Sequence, residues 1–340
     1  MIVSTEAQLE DLLATPSLAD IEAMGKLDGD LLILGVAGKM GPSLARRARR
    51  ACDTAGSKKR ILGVARFSTP GSREFLERSG IETISGDLLD ADFLASLPDV
   101  RNVIFMVGRK FGSTGAEHLT WAMNTFVPGL AASRFRHSRI VAFSSGNVYP
   151  LMPLSLGGAT EETPCAPVGE YAISALGRER MFEYAAHAYG TPVTILRLNY
   201  AIDLRYGVLL DVGTKVFERK PLDLSMGHAN VIWQGDANSV CLRSFALCSS
   251  PPLVLNLTGP ETMSIRWAAK RFGERFGVEP ILEGREADTA LLNNASRCHR
   301  IFGYPAVTLE QMIEWVADWI GLGGATLNKP THFETRDGKF

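Results

Sequence analysis

Short apolar runs alternate with amphipathic stretches along the first two-thirds of the chain. Thr5 and Gln8 stand at capping-box spacing before Leu9, Leu12 and Leu13, which predicts a helix ended by Pro16. Ser17 caps a second helix reaching about Met24, and Asp28-Gly29 reads as a turn. The apolar run Leu31–Leu34 then precedes a helical stretch from Met40 to Cys52. Arg60–Ala65 precedes a helix at Arg73–Ser79, Ile81–Ile84 one at Ala91–Ala95, and Val103–Val107 a long one at Leu119–Phe135. Arg139–Phe143 precedes a helix at Tyr171–Ala188, and Val193–Leu196 is a further strand. Strands alternating with helices imply right-handed crossovers, hence an α/β chain with a doubly wound parallel sheet covered on both faces. Beyond Tyr200 the alternation breaks down into loops, a strand at Val254–Leu257 and three helices. The last helix carries Leu309, Met312, Ile313, Val316, Trp319 and Ile320 on one face, and Trp315 and Trp319 read as core.

Composition narrows the class. At about 150 residues per domain, 340 residues suggest two domains and a sizeable core. Apolar residues at 46% and charged residues at 21% exclude a disordered chain. A net charge of −1, from 36 basic and 37 acidic residues, gives no field favouring nucleic acid or anionic lipid, so neither partner is expected. The basic run Arg46, Arg47, Arg49, Arg50 reads as a solvated helix face. No apolar run reaches membrane-span length, and residues 1–30 hold seven acidic residues and one lysine, unlike a signal peptide. Five scattered cysteines fit reduced thiols in a cytoplasmic protein. No zinc-ligand spacing occurs, so no metal is expected, and the six isolated histidines read as non-catalytic.

The first chemistry-bearing motif is the turn Gly35-Val36-Ala37-Gly38-Lys39-Met40-Gly41, between the first strand and its helix. Glycines permit a tight turn and close approach of phosphate oxygens, and a helix N-terminus offers free N–H groups and partial positive charge. In this place a G-x-x-G-x-x-G turn points to a dinucleotide's diphosphate.

On this spacing the chain resembles the extended branch of the short-chain dehydrogenase/reductase superfamily, the NAD-dependent epimerases and dehydratases, over roughly residues 30–322. The resemblance implies a Rossmann-type doubly wound sheet with a smaller C-terminal cap domain. We assign residues 1–29 to an N-terminal helical extension and 30–200 to the NAD(P)-binding domain. Residues 201–325 are mainly a substrate-binding cap, with some segments returning to the sheet, and 326–340 a polar tail, extended or docked on a partner subunit. After the second strand, Arg66 stands where NAD enzymes place a carboxylate, which leans toward NADP while leaving NAD open. By resemblance, Asp87 and Leu88 in Gly86-Asp87-Leu88 lie at the adenine, Val107 and Gly108 pass under the cofactor, and Asn124 matches the family's asparagine after the fourth strand. Gln234-Gly235-Asp236 resembles the segment opening a cap helix, with Asp236 as its N-cap.

The run Ser144-Ser145-Gly146-Asn147-Val148-Tyr149 resembles the family's Ser-Ser-x-x-Val-Tyr segment, in which Ser145 faces the substrate. The family's Tyr-x-x-x-Lys reads here Tyr171-Ala172-Ile173-Ser174-Ala175, and Glu179 and Arg197 also match. Alanine at 175 matters. A free tyrosine, pKa near 10, is about 0.1% ionised at pH 7. A cation one turn away lowers that pKa by about one to three. Without it tyrosinate formation loses up to about 4 kcal/mol, about a thousandfold in rate where ionisation enters the barrier. Two residues offer a substitute: Arg178, two turns along the same face, and Lys110, after the fourth strand, which the position of its loop favours.

The expectation is an NAD(P)-dependent oxidoreductase or epimerase/dehydratase acting on a sugar, sugar acid or sugar nucleotide. Tyr171 is its acid/base, Ser145 holds the substrate oxygen and Lys110 supplies the charge. The resemblance also implies a homodimer through the helices near 119–135 and 171–188. The alternative is a non-catalytic NAD(P)-binding sensor or scaffold.

Overall fold

The structure, a computed structural model, describes residues 2–110, 112, 115–329 and 331–339. Two short helices open it: α1 (Glu6–Ala14), with the Thr5/Gln8 capping box formed, and α2 (Leu18–Lys26), capped reciprocally by Ser17 and Asp20. The sheet strands are β1 (Leu31–Leu34), β2 (Ile61–Ala65), β3 (Glu82–Ser85), β4 (Asn102–Phe105), β5 (Arg139–Ser145), β6 (Val193–Leu198) and β7 (Leu253–Leu257). All neighbours pair in parallel, in the order β7-β6-β5-β4-β1-β2-β3. The order reverses between β1 and β4, and ligands of such sheets bind beyond the strand C-termini at that reversal. β7, from the chain's second half, closes the edge beside β6.

The crossovers are α3 (Gly41–Thr54), α4 (Ser72–Arg78), α5 (Ala91–Ser96), α6 (Glu117–Trp121), α7 (Val127–Arg134) and α8 (Glu170–Tyr189). The long helix expected at Leu119–Phe135 is interrupted by a π-helical turn at Ala122–Phe126 between α6 and α7. Pro128 has no N–H to return to the carbonyl four residues earlier, that of Asn124, and the wider turn results.

The segment beyond Tyr200, called the cap here, holds more helix than the three expected. Among the described residues beyond Tyr200 there are five α-helices: α9 (Val208–Phe217), α10 (Gln234–Arg243), α11 (Ile265–Phe276), α12 (Ser296–Phe302) and α13 (Leu309–Gly321). Trp315 and Trp319 are buried in its core, with Phe272 and Ile313. Asp236 is not an N-cap. Trp233 holds that position, and the Asp236 carboxylate accepts the Val307 N–H at 3.0 Å, tying α10 to the loop before α13.

The basic run on α3 is not a solvated face either. Arg47 is buried against fully buried Asp20 at 2.7 Å, and Arg46 bonds Glu10 and Asp11. These pairs seat α1 and α2 on α3, because an arginine stem covers apolar surface while its head finds a carboxylate. The tail docks on its own chain. Phe333 is buried in the cap core and Arg336 donates to the Thr289 carbonyl and hydroxyl at 2.9 and 2.6 Å. No helix among the described residues is long and apolar enough to cross a membrane.

Candidate active site

β1 ends in the glycine turn. Gly35 has φ +88°, and a Cβ on it would come within 3.0 Å of Val107, at the end of β4. A Cβ on Gly41 would lie 2.0 Å from the Val36 carbonyl oxygen, so only glycine lets α3 start this close to the strand. Met40 is the N-cap and makes no side-chain cap bond. The first-turn N–H groups of α3 therefore keep no side-chain acceptor at the cap, as a diphosphate seat requires. The residues fit a dinucleotide there.

A cleft of about 490 Å³ opens over this turn. It gathers Gly38, Lys39 and Met40 from the turn, Val107, Gly108 and Lys110 from beyond β4, Ser145 from β5 and Tyr171 from α8. Gly35 and Gly41 shape the turn beneath. The expected acid/base, oxygen holder and phosphate seat thus share one cavity.

The remaining predicted residues stand apart. Arg66 and Asp87 follow β2 and β3 at the outer edge, their side chains exposed and 3.7 Å apart. Leu88 is buried in the sheet's second core cluster. Asn124 is fully buried behind Gly108, where its oxygen accepts the Arg109 N–H at 2.8 Å and Arg178 at 2.9 Å. Its amide donates to the Arg109 carbonyl and the Ser174 hydroxyl. The π turn thus carries the group that fixes the loop leading to Lys110.

The two tyrosines of the motif separate by environment. Tyr149 is buried: its hydroxyl accepts from Arg197 at 2.6 Å and donates to Asn256 at 2.9 Å. Burial pushes its pKa up to about 12 against the pull of Arg197, so it stays a neutral phenol. Arg197 chelates fully buried Glu179, which accepts the Ser144 hydroxyl. Despite the cost of burial, Glu179 keeps that guanidinium protonated. This network supports the floor of the site. Tyr171, in the first turn of α8, faces the cleft instead. Ser145 accepts the Asn147 N–H and side-chain amide at 3.2 Å each, which leaves its hydroxyl hydrogen for a substrate oxygen.

Ala175 is fully buried among Val148, Tyr149, Met152 and Ala159. Both substitute cations border the cleft. The Lys110 ammonium lies 5.9 Å from the Tyr171 ring centre and donates to the Thr331 carbonyl at 3.2 Å. Burial, partly offset by Asp211 and Glu334, lowers its pKa to about 8. Arg178 is buried and donates to the Phe143 carbonyl at 2.8 Å. Sequence reasoning missed the wall opposite the turn: Tyr200, Tyr206, Lys329 and Thr331 also line the cleft. Nothing local in the sequence marks them, because the cap and tail bring them in.

The model of the NAD dependent epimerase/dehydratase family matches residues 31–202, half of the chain. Similar solved structures include UDP-glucose 4-epimerase of Thermotoga maritima with UDP-glucose, 16% identical, covering 86% of this chain and 98% of that one at a TM-score of 0.70. The dTDP-glucose 4,6-dehydratase of Streptomyces venezuelae, with NAD and TYD bound, is 18% identical and covers 86% and 97% at 0.72. UDP-glucuronic acid 4-epimerase of Bacillus cereus, with UDP-glucuronic acid and NAD, is 20% identical and covers 86% and 99% at 0.68. Sequence comparison with curated proteins gives no significant match. The family match, falling on the strands, glycine turn and cleft described above, shows that this chain belongs to the NAD-dependent epimerase/dehydratase family.

Proposed function

We propose that the protein is an NAD(P)-dependent oxidoreductase, or an epimerase/dehydratase with an internal redox step, acting on a sugar-like alcohol. The observation that carries this reading is the single cleft joining the glycine turn to Ser145, Tyr171 and Lys110. A bound nicotinamide supplies the hydride acceptor or donor. The glycine turn and the α3 N-terminus hold the diphosphate, with Gly108 beneath the cofactor. Tyr171 exchanges the proton of the reacting hydroxyl, and Ser145 positions that oxygen. Lys110 supplies the positive charge that Ala175 cannot, with its ammonium 5.9 Å from the Tyr171 ring centre. Arg66, exposed beyond β2, supports a preference for NADP over NAD. Exposed apolar side chains on the two helical runs, Trp121 and Phe126 on one, Ile173 and Tyr184 on the other, support a homodimer through them. Five free thiols fit work in the cytoplasm.

Buried Ala175 favours a second reading, a cofactor-binding sensor without turnover. Titration calorimetry with NAD+, NADP+ and their reduced forms, followed by reduced-cofactor absorbance over sugars, sugar acids and sugar nucleotides, separates the two. Uptake with turnover supports the enzyme, uptake without turnover over the whole panel supports the sensor, and no uptake overturns both.

A further inference from the structure

A second phenol reaches the neighbourhood of Tyr171. Tyr200 follows β6 and lines the cleft, and its ring centre, like that of Tyr171, lies 5.9 Å from the Lys110 ammonium. Its backbone is left-handed, at φ +43°. Bulky side chains rarely adopt that conformation, and it persists where the surrounding structure imposes it. Here bonds on both sides impose it. The Asn199 N–H donates to the Leu257 carbonyl of β7 at 3.0 Å, and the Asn199 carbonyl accepts the Thr258 hydroxyl at 3.0 Å. The Tyr200 carbonyl accepts the Ile232 N–H at 3.1 Å, and Ala201 and Ile202 pair in parallel with Ile232 and Trp233, directly before α10. Two neighbouring segments therefore hold Tyr200 in a conformation that it would leave on its own, with its ring at the cleft.

The two buried ends of the comparison differ in what the hydroxyl meets. The Tyr149 hydroxyl is committed to Arg197 and Asn256. The Tyr200 hydroxyl makes no hydrogen bond among the described residues, and it is not sealed from solvent. Burial, then the charges of Glu334, Tyr171 and Asp211, push its pKa well above the ordinary tyrosine value, though residual solvent contact weakens the first of these. The phenol therefore keeps its proton at neutral pH and offers it as a donor. A donor without a protein acceptor, near the residues assigned to the reacting oxygen, is placed to meet another oxygen of the same ligand.

We infer that Tyr200 is a specificity-determining residue, whose hydroxyl donates to an oxygen on the carbon next to the reacting one. The substrate class is then a vicinal diol, or the matching hydroxy ketone, and not an isolated alcohol. The inference rests on the function proposed above and adds what the substrate must carry. The test uses the full chain saturated with NAD+ or NADP+, whichever it takes up, and calorimetry with three pairs of probes. These are trans-cyclohexane-1,2-diol and cyclohexanol, glucose and 3-deoxyglucose, and UDP-glucose and its 3-deoxy analogue. In at least one pair the compound with the additional hydroxyl is expected to bind about tenfold tighter, the size of one hydrogen bond at a site that leaves its donor unpaired otherwise. Tyr200→Phe keeps the ring and removes the hydroxyl. It is expected to abolish that preference, with an unaltered melting temperature and cofactor affinity within about twofold. Equal binding within every pair, no binding of any probe, or a preference that survives Tyr200→Phe each overturns the inference. So does a loss in Tyr200→Phe that comes with a lower melting temperature or weaker cofactor binding, which assigns the hydroxyl to the fold. Failure of the underlying reading shows separately, as a wild-type chain that takes up neither cofactor.

Discussion

The Arg178 guanidinium donates to the Asn124 side-chain oxygen at 2.9 Å directly behind the Gly108 backbone. A Cβ at 108 would stand 2.8 Å from that guanidinium, and both partners are buried. Gly108→Ala therefore forces the arginine or the loop aside. The expected cost is about 1–3 kcal/mol, read as a lower denaturant midpoint, together with weaker cofactor binding. An unchanged midpoint and affinity would show that the loop yields freely.

Lys110 carries the charge assigned to the reaction. Lys110→Ala should abolish turnover and leave cofactor affinity nearly intact, measured by steady-state kinetics beside calorimetry. The pH profile adds the sign. With its pKa lowered to about 8, the ammonium is present below that pH and lost above it. Wild-type turnover should fall above pH 8, by about tenfold per further pH unit. Lys110→Arg, which keeps its charge, should move that fall upward. Near-normal turnover in Lys110→Ala removes the residue from the mechanism.

Arg66, just beyond β2, is the residue on which the proposed preference for NADP rests. Its side chain is 64% exposed, so its contribution is modest. Arg66→Ala should weaken NADP+ by about tenfold and leave NAD+ within about twofold, in paired titrations. Equal losses for both cofactors would contradict the assignment.

Phe333 anchors the tail among α9, α11 and α13 at 1% exposure. Phe333→Ala should cost about 3–5 kcal/mol in chemical denaturation and raise the KM for substrate more than it lowers kcat. An unaltered KM would separate the tail from substrate binding.

The Arg47–Asp20 pair holds α2 on α3, with the Ser239 hydroxyl also donating to Asp20. Arg47→Ala leaves a buried carboxylate without its cation. A loss of about 3–5 kcal/mol is expected, visible as a large drop in melting temperature.

What the sequence made legible was local. Leu31–Leu34 and the glycines after it announce a strand and its turn within eleven residues of one another, because burial on both faces and a tight turn leave marks in adjacent positions. The π turn was equally local, since Pro128 sits four residues after Asn124, yet helical periodicity concealed it. The rest depended on distant partners. Arg47 looked like part of a solvated run because its carboxylate is 27 positions away. The Lys110–Thr331 contact spans 221 positions, so no spacing rule could assign the tail to the cleft. Resemblance of the segments around them picks out Ser145 and Tyr171, the loop after β4 picks out Lys110, and all three line one cleft.

Val3, Leu9 and Leu13 share one core cluster with Phe333 and the cap helices. Residues more than 300 positions apart thus meet in a single apolar body, and that body is complete only once Phe333 is in place. The sheet, by contrast, draws six of its seven strands from residues before Tyr200 and can form earlier. Loss of Phe333 and loss of the Leu9–Leu13 face should therefore injure the same half of the molecule and leave the sheet strands before Tyr200 their own core.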